Sequence, residues 1–194
     1  IETPTFPVSS STNCLVPMLK VLNESFGIER ALVTTVHAYT NDQMLHDSFH
    51  KKKRRGRAAG LNLVPTSTGA AEAVAEVMPE LTGRVNGLAV RAPVACGSLV
   101  DLVAELKGEV PVEMINAAFK KYSVKELLGI LEYSEDELVS SDVIGNASST
   151  VFDSLSTQVD GNLVKVLAWY DNEFGYSNRV IDVIQMVSKF GKWF

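Results

Sequence analysis

The chain has 194 residues, 46% of them apolar, enough for one substantial core that buries about 70% of the unfolded surface. Eighteen Lys and Arg stand against 23 Asp and Glu, and the net charge of −5 argues against bulk attraction to nucleic acid or an anionic membrane, so any anion binding has to be local. Two cysteines, Cys14 and Cys96, are too few for a disulfide framework and fit a reducing, cytoplasmic compartment, and no apolar run reaches the length of a bilayer span.

In chain order, Leu15, Met18, Leu19 and Leu22 share one face of a helix predicted over 11–26, with Ser and Thr at its start as caps and Pro17 bending or delaying it. Residues 31–38 are apolar and β-branched, a buried strand that ends on His37 and Ala38. A polar loop then carries six cations with no acid among them: Lys51, Lys52, Lys53, Arg54, Arg55 and Arg57. On an extended loop Arg55 and Arg57 point the same way, with Arg54 opposite. Thr68 and Gly69 open a second helix, 70–78, stopped by Pro79, and from Leu88 the pattern changes to strands. Residues 100–106 alternate as a half-buried strand, and 111–122 form a helix. Val151 and Phe152 and then 163–170 add strand, and 178–190 is a final helix striped by Val180, Ile181, Ile184 and Val187. Strands that follow one another with few strand–helix alternations favour an α+β fold, a large mostly antiparallel mixed sheet with helices on one face. One domain over 1–194 is the working count, and the start at Ile1 suggests a fragment, a processed chain or a truncation.

Taken singly, the chemistry-bearing residues are ordinary. Hydroxyls before a helix usually cap it, a basic loop is usually solvated, and a lone His ending a strand usually belongs to a core. Taken together, two helix starts free of bulky side chains, a compact Arg cluster and an isolated Arg91 after an apolar strand point to phosphate. An Arg in that position needs an acid or a ligand anion. His46 and His50 lack metal-ligand spacing and there is no CxxC, so no metal site is expected. A hydrolase would rest on Ser10 and His37 without a G-x-S-x-G elbow.

Four blocks carry a more specific signal: Thr34-Thr35-Val36-His37-Ala38-Tyr39-Thr40-Asn41-Asp42-Gln43, Arg54-Arg55-Gly56-Arg57-Ala58-Ala59, Val64-Pro65-Thr66-Ser67-Thr68-Gly69-Ala70-Ala71, and Trp169-Tyr170-Asp171-Asn172-Glu173-Phe174-Gly175-Tyr176-Ser177-Asn178-Arg179-Val180. In this order they resemble the catalytic, C-terminal domain of phosphorylating glyceraldehyde-3-phosphate dehydrogenase over nearly the whole chain. The resemblance implies oxidation and phosphorylation of a small phosphorylated aldehyde, glyceraldehyde 3-phosphate, with NAD or NADP. It makes His37 the general base, and Ser9, Ser11, Thr68, the Gly69 backbone and Arg55 the site of attacking inorganic phosphate. Thr40 and Arg91 would hold the substrate's own phosphate, Asn172 would orient the nicotinamide carboxamide, and Tyr176 would lie near that ring. Lys51, Lys52 and Lys53 stay unexplained. Erythrose-4-phosphate dehydrogenase is a close variant of the same resemblance.

Two departures follow from it. The family's motif reads Ser-Cys-Thr-Thr-Asn-Cys, whereas this chain has Ser9-Ser10-Ser11-Thr12-Asn13-Cys14, so Ser10 stands in the nucleophile's place. A serine hydroxyl titrates several units above a thiol, so the surroundings that yield a thiolate cannot ionise it, and little oxidative phosphorylation is expected. Cys14 is a helical turn deeper, about 6 Å along the axis. Second, the family's Rossmann cofactor domain precedes this region, and no G-x-G-x-x-G occurs here, so that domain is expected to be missing and the final helix's apolar stripe partly uncovered. Gly191-Lys192-Trp193-Phe194 would extend past the usual family end. Family members are usually homotetramers, so at least a dimer is expected. The rival readings are a non-catalytic phosphate- or sugar-phosphate-binding or assembly module and a Ser10–His37 esterase.

Overall fold

The computed structural model describes residues 9–189. Ser9 caps the first helix, α1 (Ser10–Phe26), its Oγ accepting the Thr12 N–H at 3.1 Å and so satisfying one of the donors a helix start leaves unpaired. The helix runs through Pro17, which forfeits the bond to the Asn13 carbonyl without ending the helix. Gly27 ends it at φ 72°, a conformation that favours glycine.

The chain continues as β1 (Ile28–Ala38), β2 (Val64–Thr66), α2 (Ala70–Val77), β3 (Val85–Ala92), β4 (Ser98–Leu106), α3 (Val112–Ser123), β5 (Leu131–Ser134), β6 (Thr150–Asp160), β7 (Leu163–Tyr170) and α4 (Phe174–Lys189). The strands form one sheet in the order β2-β3-β1-β4-β7-β6-β5. Only the β1–β3 and β5–β6 pairings are parallel, so the sheet is mixed and mostly antiparallel, as the sequence predicts.

Alternation decides the layers. On β4, Val100, Leu102, Ala104 and Leu106 are fully buried while Leu99, Asp101, Val103 and Glu105 are only half-buried. The buried face meets Leu15, Met18, Leu19 and Leu22 of α1 and Ile115 and Phe119 of α3 in one continuous core. Phe119 and Phe152 stack with ring centroids 3.8 Å apart, joining α3 to β6. The opposite face leaves apolar side chains open to solvent, with Leu32 66% and Leu155 58% exposed.

Several expectations need correction. The last helix begins at Phe174, not 178, because Asp171 Oδ1 accepts the Glu173 and Phe174 N–H groups at 2.8 and 2.9 Å and starts it early. Its stripe is uncovered as expected, Ile181 and Ile184 being 50% and 62% exposed. The basic loop is not extended: residues 53–56 make a 3₁₀ turn, and Arg55 and Arg57 go to different acids, Asp42 and Asp47. Most of β6 escapes the sequence reading because its buried side chains include Asp153, Ser154 and Thr157. The start at Ile1, the predicted helix end at Phe190 and the Gly191–Phe194 extension lie outside the described residues.

Candidate active site

The sheet register assembles the site. His37 at the end of β1 lies opposite Arg91 on β3, and Ser98 at the start of β4 lies opposite Tyr170 at the end of β7, so four strands deliver chemistry at one edge. Helix α1 begins at the same edge. The result is a cavity of about 530 Å³, walled on one side by Ser9, Ser10 and Ser11, on another by His37 and Arg91, and closed by Thr40, Arg55, Thr68, Gly69 and Asn172. All the site residues read from the sequence line it except Tyr176, which sits half-buried on the first turn of α4 outside this cavity.

His37 is 8% exposed, and burial pushes its imidazole down to about 4; the Arg91 charge adds to this and the Ala38 carbonyl partly opposes it. The ring is therefore neutral near pH 7. Its Nδ1 is 2.7 Å from the Ala38 carbonyl and also 2.7 Å from Arg91 Nη1, which itself donates to that carbonyl at 3.1 Å. One nitrogen cannot donate to Ala38 and accept from Arg91 together. A base acting through Nε2 requires the first arrangement, with the proton on Nδ1. Tyr170 meets the imidazole edge-on, ring centroids 6.0 Å apart, and its hydroxyl bonds Ser11 Oγ at 2.8 Å. Burial holds that phenol well above its usual range, so it stays neutral.

Arg91 has no acid partner among the described residues. Its Nε is buried without a hydrogen-bond partner, and so is the hydroxyl of Thr35, a fully buried residue on the cavity wall. Two buried donors without partners on one wall, beside a guanidinium with no acid, can pair with an anion. Arg55 is tied differently. Its Nε donates to Thr66 Oγ1 at 3.0 Å and its Nη1 pairs with Asp42. Ser9 Oγ caps α1 and also meets Thr12 Oγ1 at 2.8 Å, so both Ser9 and Ser11 serve the fold while facing the cavity. Thr68 Oγ1 accepts the Ala70 N–H at the start of α2.

Ser10 is the first residue of α1 and makes no side-chain hydrogen bond with the other described residues. Cys14 is fully buried with its Sγ 4.0 Å from the Ala168 carbonyl, and burial pushes its thiol far up, so it cannot stand in as nucleophile. Asn172 is set by Ser98, whose Oγ accepts the Ala38 N–H at 3.1 Å and donates to Asn172 Oδ1 at 3.1 Å. That fixes the amide so its NH₂ group is free to donate to a ligand carbonyl. Sequence reasoning gave no role to Ser98, Tyr170, Thr35 or Lys52; Tyr170 had a signal in ending an apolar strand directly before Asp171 and Asn172, and Lys52 had one in the basic run.

The strand ends and helix starts thus surround a buried neutral His and an Arg with no acid partner, groups that can take a proton and pair with an anion. Residues 9–172 match the family model described as glyceraldehyde 3-phosphate dehydrogenase, C-terminal domain, and the chain belongs to that family. It is similar to glyceraldehyde-3-phosphate dehydrogenase 1 of Bacillus cereus, 59% identical over 184 residues, covering 94% of this chain and 55% of the relative. The corresponding protein of Bacillus subtilis (strain 168) is 56% identical with the same coverage. Glyceraldehyde-3-phosphate dehydrogenase of Geobacillus stearothermophilus is 55% identical over 184 residues, again covering 94% of this chain and 55% of the relative. The chain thus spans about half the length of these relatives.

Proposed function

We propose that this chain is the catalytic half of a cytoplasmic phosphorylating dehydrogenase acting on glyceraldehyde 3-phosphate, whose oxidative step is crippled by Ser10. The single observation that carries the reading is the cavity wall on which Arg91 and Thr35 hold unpartnered buried donors beside His37. Thr40 and Arg91 bind the substrate's phosphate, while Arg55, Thr68 and the Gly69 backbone bind inorganic phosphate. The residue at position 10 attacks the aldehyde carbon as His37 Nε2 takes its proton, and the exposed N–H groups at the start of α1 stabilise the oxygen that becomes negative.

A nicotinamide cofactor, when bound, accepts the hydride; Asn172 would hold its carboxamide from this chain, with Tyr176 nearby, and a Rossmann domain would supply the rest of the pocket. With a thiol at position 10 the acyl product is a thioester that phosphate readily cleaves. With Ser10 it is an oxygen ester, and the hydroxyl is scarcely ionised beforehand. The apolar outer face of the sheet, with Leu32 and Leu155 exposed, supports assembly into at least a dimer. The hydroxyl at position 10 equally favours a second reading, a sugar-phosphate-binding module that has shed the chemistry.

Titration of the chain with glyceraldehyde 3-phosphate tests the binding on which both readings rest. Saturable binding that weakens at least about tenfold in Arg91→Ala is expected. No binding by the parent chain would sink them together.

A further inference from the structure

Of the three lysines that the proposed reaction leaves unused, Lys52 alone lines the cavity, sharing the wall with Arg55, Ser67 and Thr68. Its Nζ donates to Ser67 Oγ at 3.1 Å, next to the Thr68–Gly69 start of α2. It forms no ion pair with an acid among the described residues, whereas Arg55 and Arg57 in the same loop each have one. Lys51, Lys53 and Arg54 are exposed like Lys52 but line no part of the cavity.

The position is built rather than incidental. His50 Nδ1 lies 2.9 Å from the Lys52 backbone nitrogen and 3.0 Å from the Lys52 carbonyl oxygen, and its Nε2 lies 3.4 Å from Asp42 Oδ1. Asp42 in turn pairs through Oδ2 with Arg55. The Lys52 carbonyl accepts the Arg55 N–H at 2.8 Å, so the two cations belong to one turn clamped by His50 and Asp42. Asp42 neutralises much of Arg55's charge, and Lys52 is the cation on that side with no acid to share it.

We infer that Lys52 is a specificity-determining ligand of the inorganic-phosphate end of the cavity, the second cation beside Arg55 that makes this end select doubly charged oxyanions over singly charged ones. The inference rests on the cavity being the anion site proposed above. A phosphate dianion placed against Arg55, Thr68 and the Gly69 backbone displaces the Lys52–Ser67 contact and takes the ammonium as a charge-assisted donor. A monoanion gains less from that second cation.

Calorimetric titration of the full chain with inorganic phosphate at pH 8, and separately with nitrate, tests this in the parent, Lys52→Gln, Lys53→Gln and Arg55→Gln. Lys52→Gln should weaken phosphate about tenfold, weaken nitrate clearly less, and leave the circular dichroism spectrum unchanged. Lys53→Gln should stay within about twofold of the parent, as a solvated charge does. Equal losses in the two lysine variants, or equal losses for phosphate and nitrate in Lys52→Gln, would reduce Lys52 to a general electrostatic contribution and overturn the inference. Loss in Arg55→Gln with none in Lys52→Gln would also overturn it while leaving the anion site standing. A parent chain that binds no phosphate would overturn both.

Discussion

Arg91 Nη1 lies 2.7 Å from His37 Nδ1, across the parallel β3–β1 pairing that sets the two residues side by side. The contact couples the guanidinium to the imidazole: whatever neutralises Arg91 also relieves His37. In Arg91→Met the His37 titration should rise toward its ordinary value without reaching it, because burial is the larger cause of its depression and the Arg91 charge the smaller. An NMR titration of the imidazole reads this directly. An unchanged or lowered midpoint would show that the guanidinium charge does not reach the ring.

The same depression has a consequence for stability. His37 titrates at about 4 when folded and near 6.5 when unfolded, so as pH falls the unfolded chain takes up the proton first. Its contribution is complete above about pH 6.5, is lost between there and about pH 4, and does not change further below that. The loss is on the order of 3 kcal/mol. Urea unfolding across this range should show the decline in the parent and a flatter profile in His37→Gln. Parallel profiles would remove His37 as the source.

Asp171 ties three segments together. One oxygen caps α4 through the Glu173 and Phe174 N–H groups and meets Cys96 Sγ at 3.4 Å; the other accepts the Gly145 N–H at 2.8 Å. Burial opposes its ionisation, but the three backbone N–H groups together outweigh this and hold the carboxyl below its usual range. Asp171→Ala should cost about 2–3 kcal/mol in denaturant unfolding, as a lost cap plus stranded buried donors. A loss below about 0.5 kcal/mol would mean that α4 and the 145 loop hold without it.

Much of this was legible beforehand, and the boundary is physical. Helix α1 and strand β4 announce themselves through periodicity, and β1 and β7 through runs of apolar residues. The residues that line the cavity were legible because Arg91 follows an apolar run and the hydroxyls stand at helix starts. Ser98 and Thr35 were not, since a polar residue inside a strand acquires meaning only from the strand beside it. The 3₁₀ turn that splits Arg55 from Arg57 was equally hidden: Asp42 and Asp47, distant in sequence from the arginines, decide it.

Gly97 shows how closely the loop before Ser98 is fitted. Its φ is 87°, and a Cβ there would lie 2.0 Å from the Ser140 carbonyl oxygen. Gly97→Ala should destabilise by on the order of 2 kcal/mol and loosen the Ser98–Asn172 contact it precedes. Thermal unfolding checks the first effect, and a parent-like midpoint would contradict the fitted loop.

The central claim is that the cavity is a dehydrogenase site with the wrong atom at position 10. The direct measurement is cofactor reduction with glyceraldehyde 3-phosphate and phosphate, with a nicotinamide-binding domain supplied by fusion, in the parent and in Ser10→Cys. The account predicts turnover near background in the parent and at least about 100-fold more in Ser10→Cys. Equal rates in the two would contradict it.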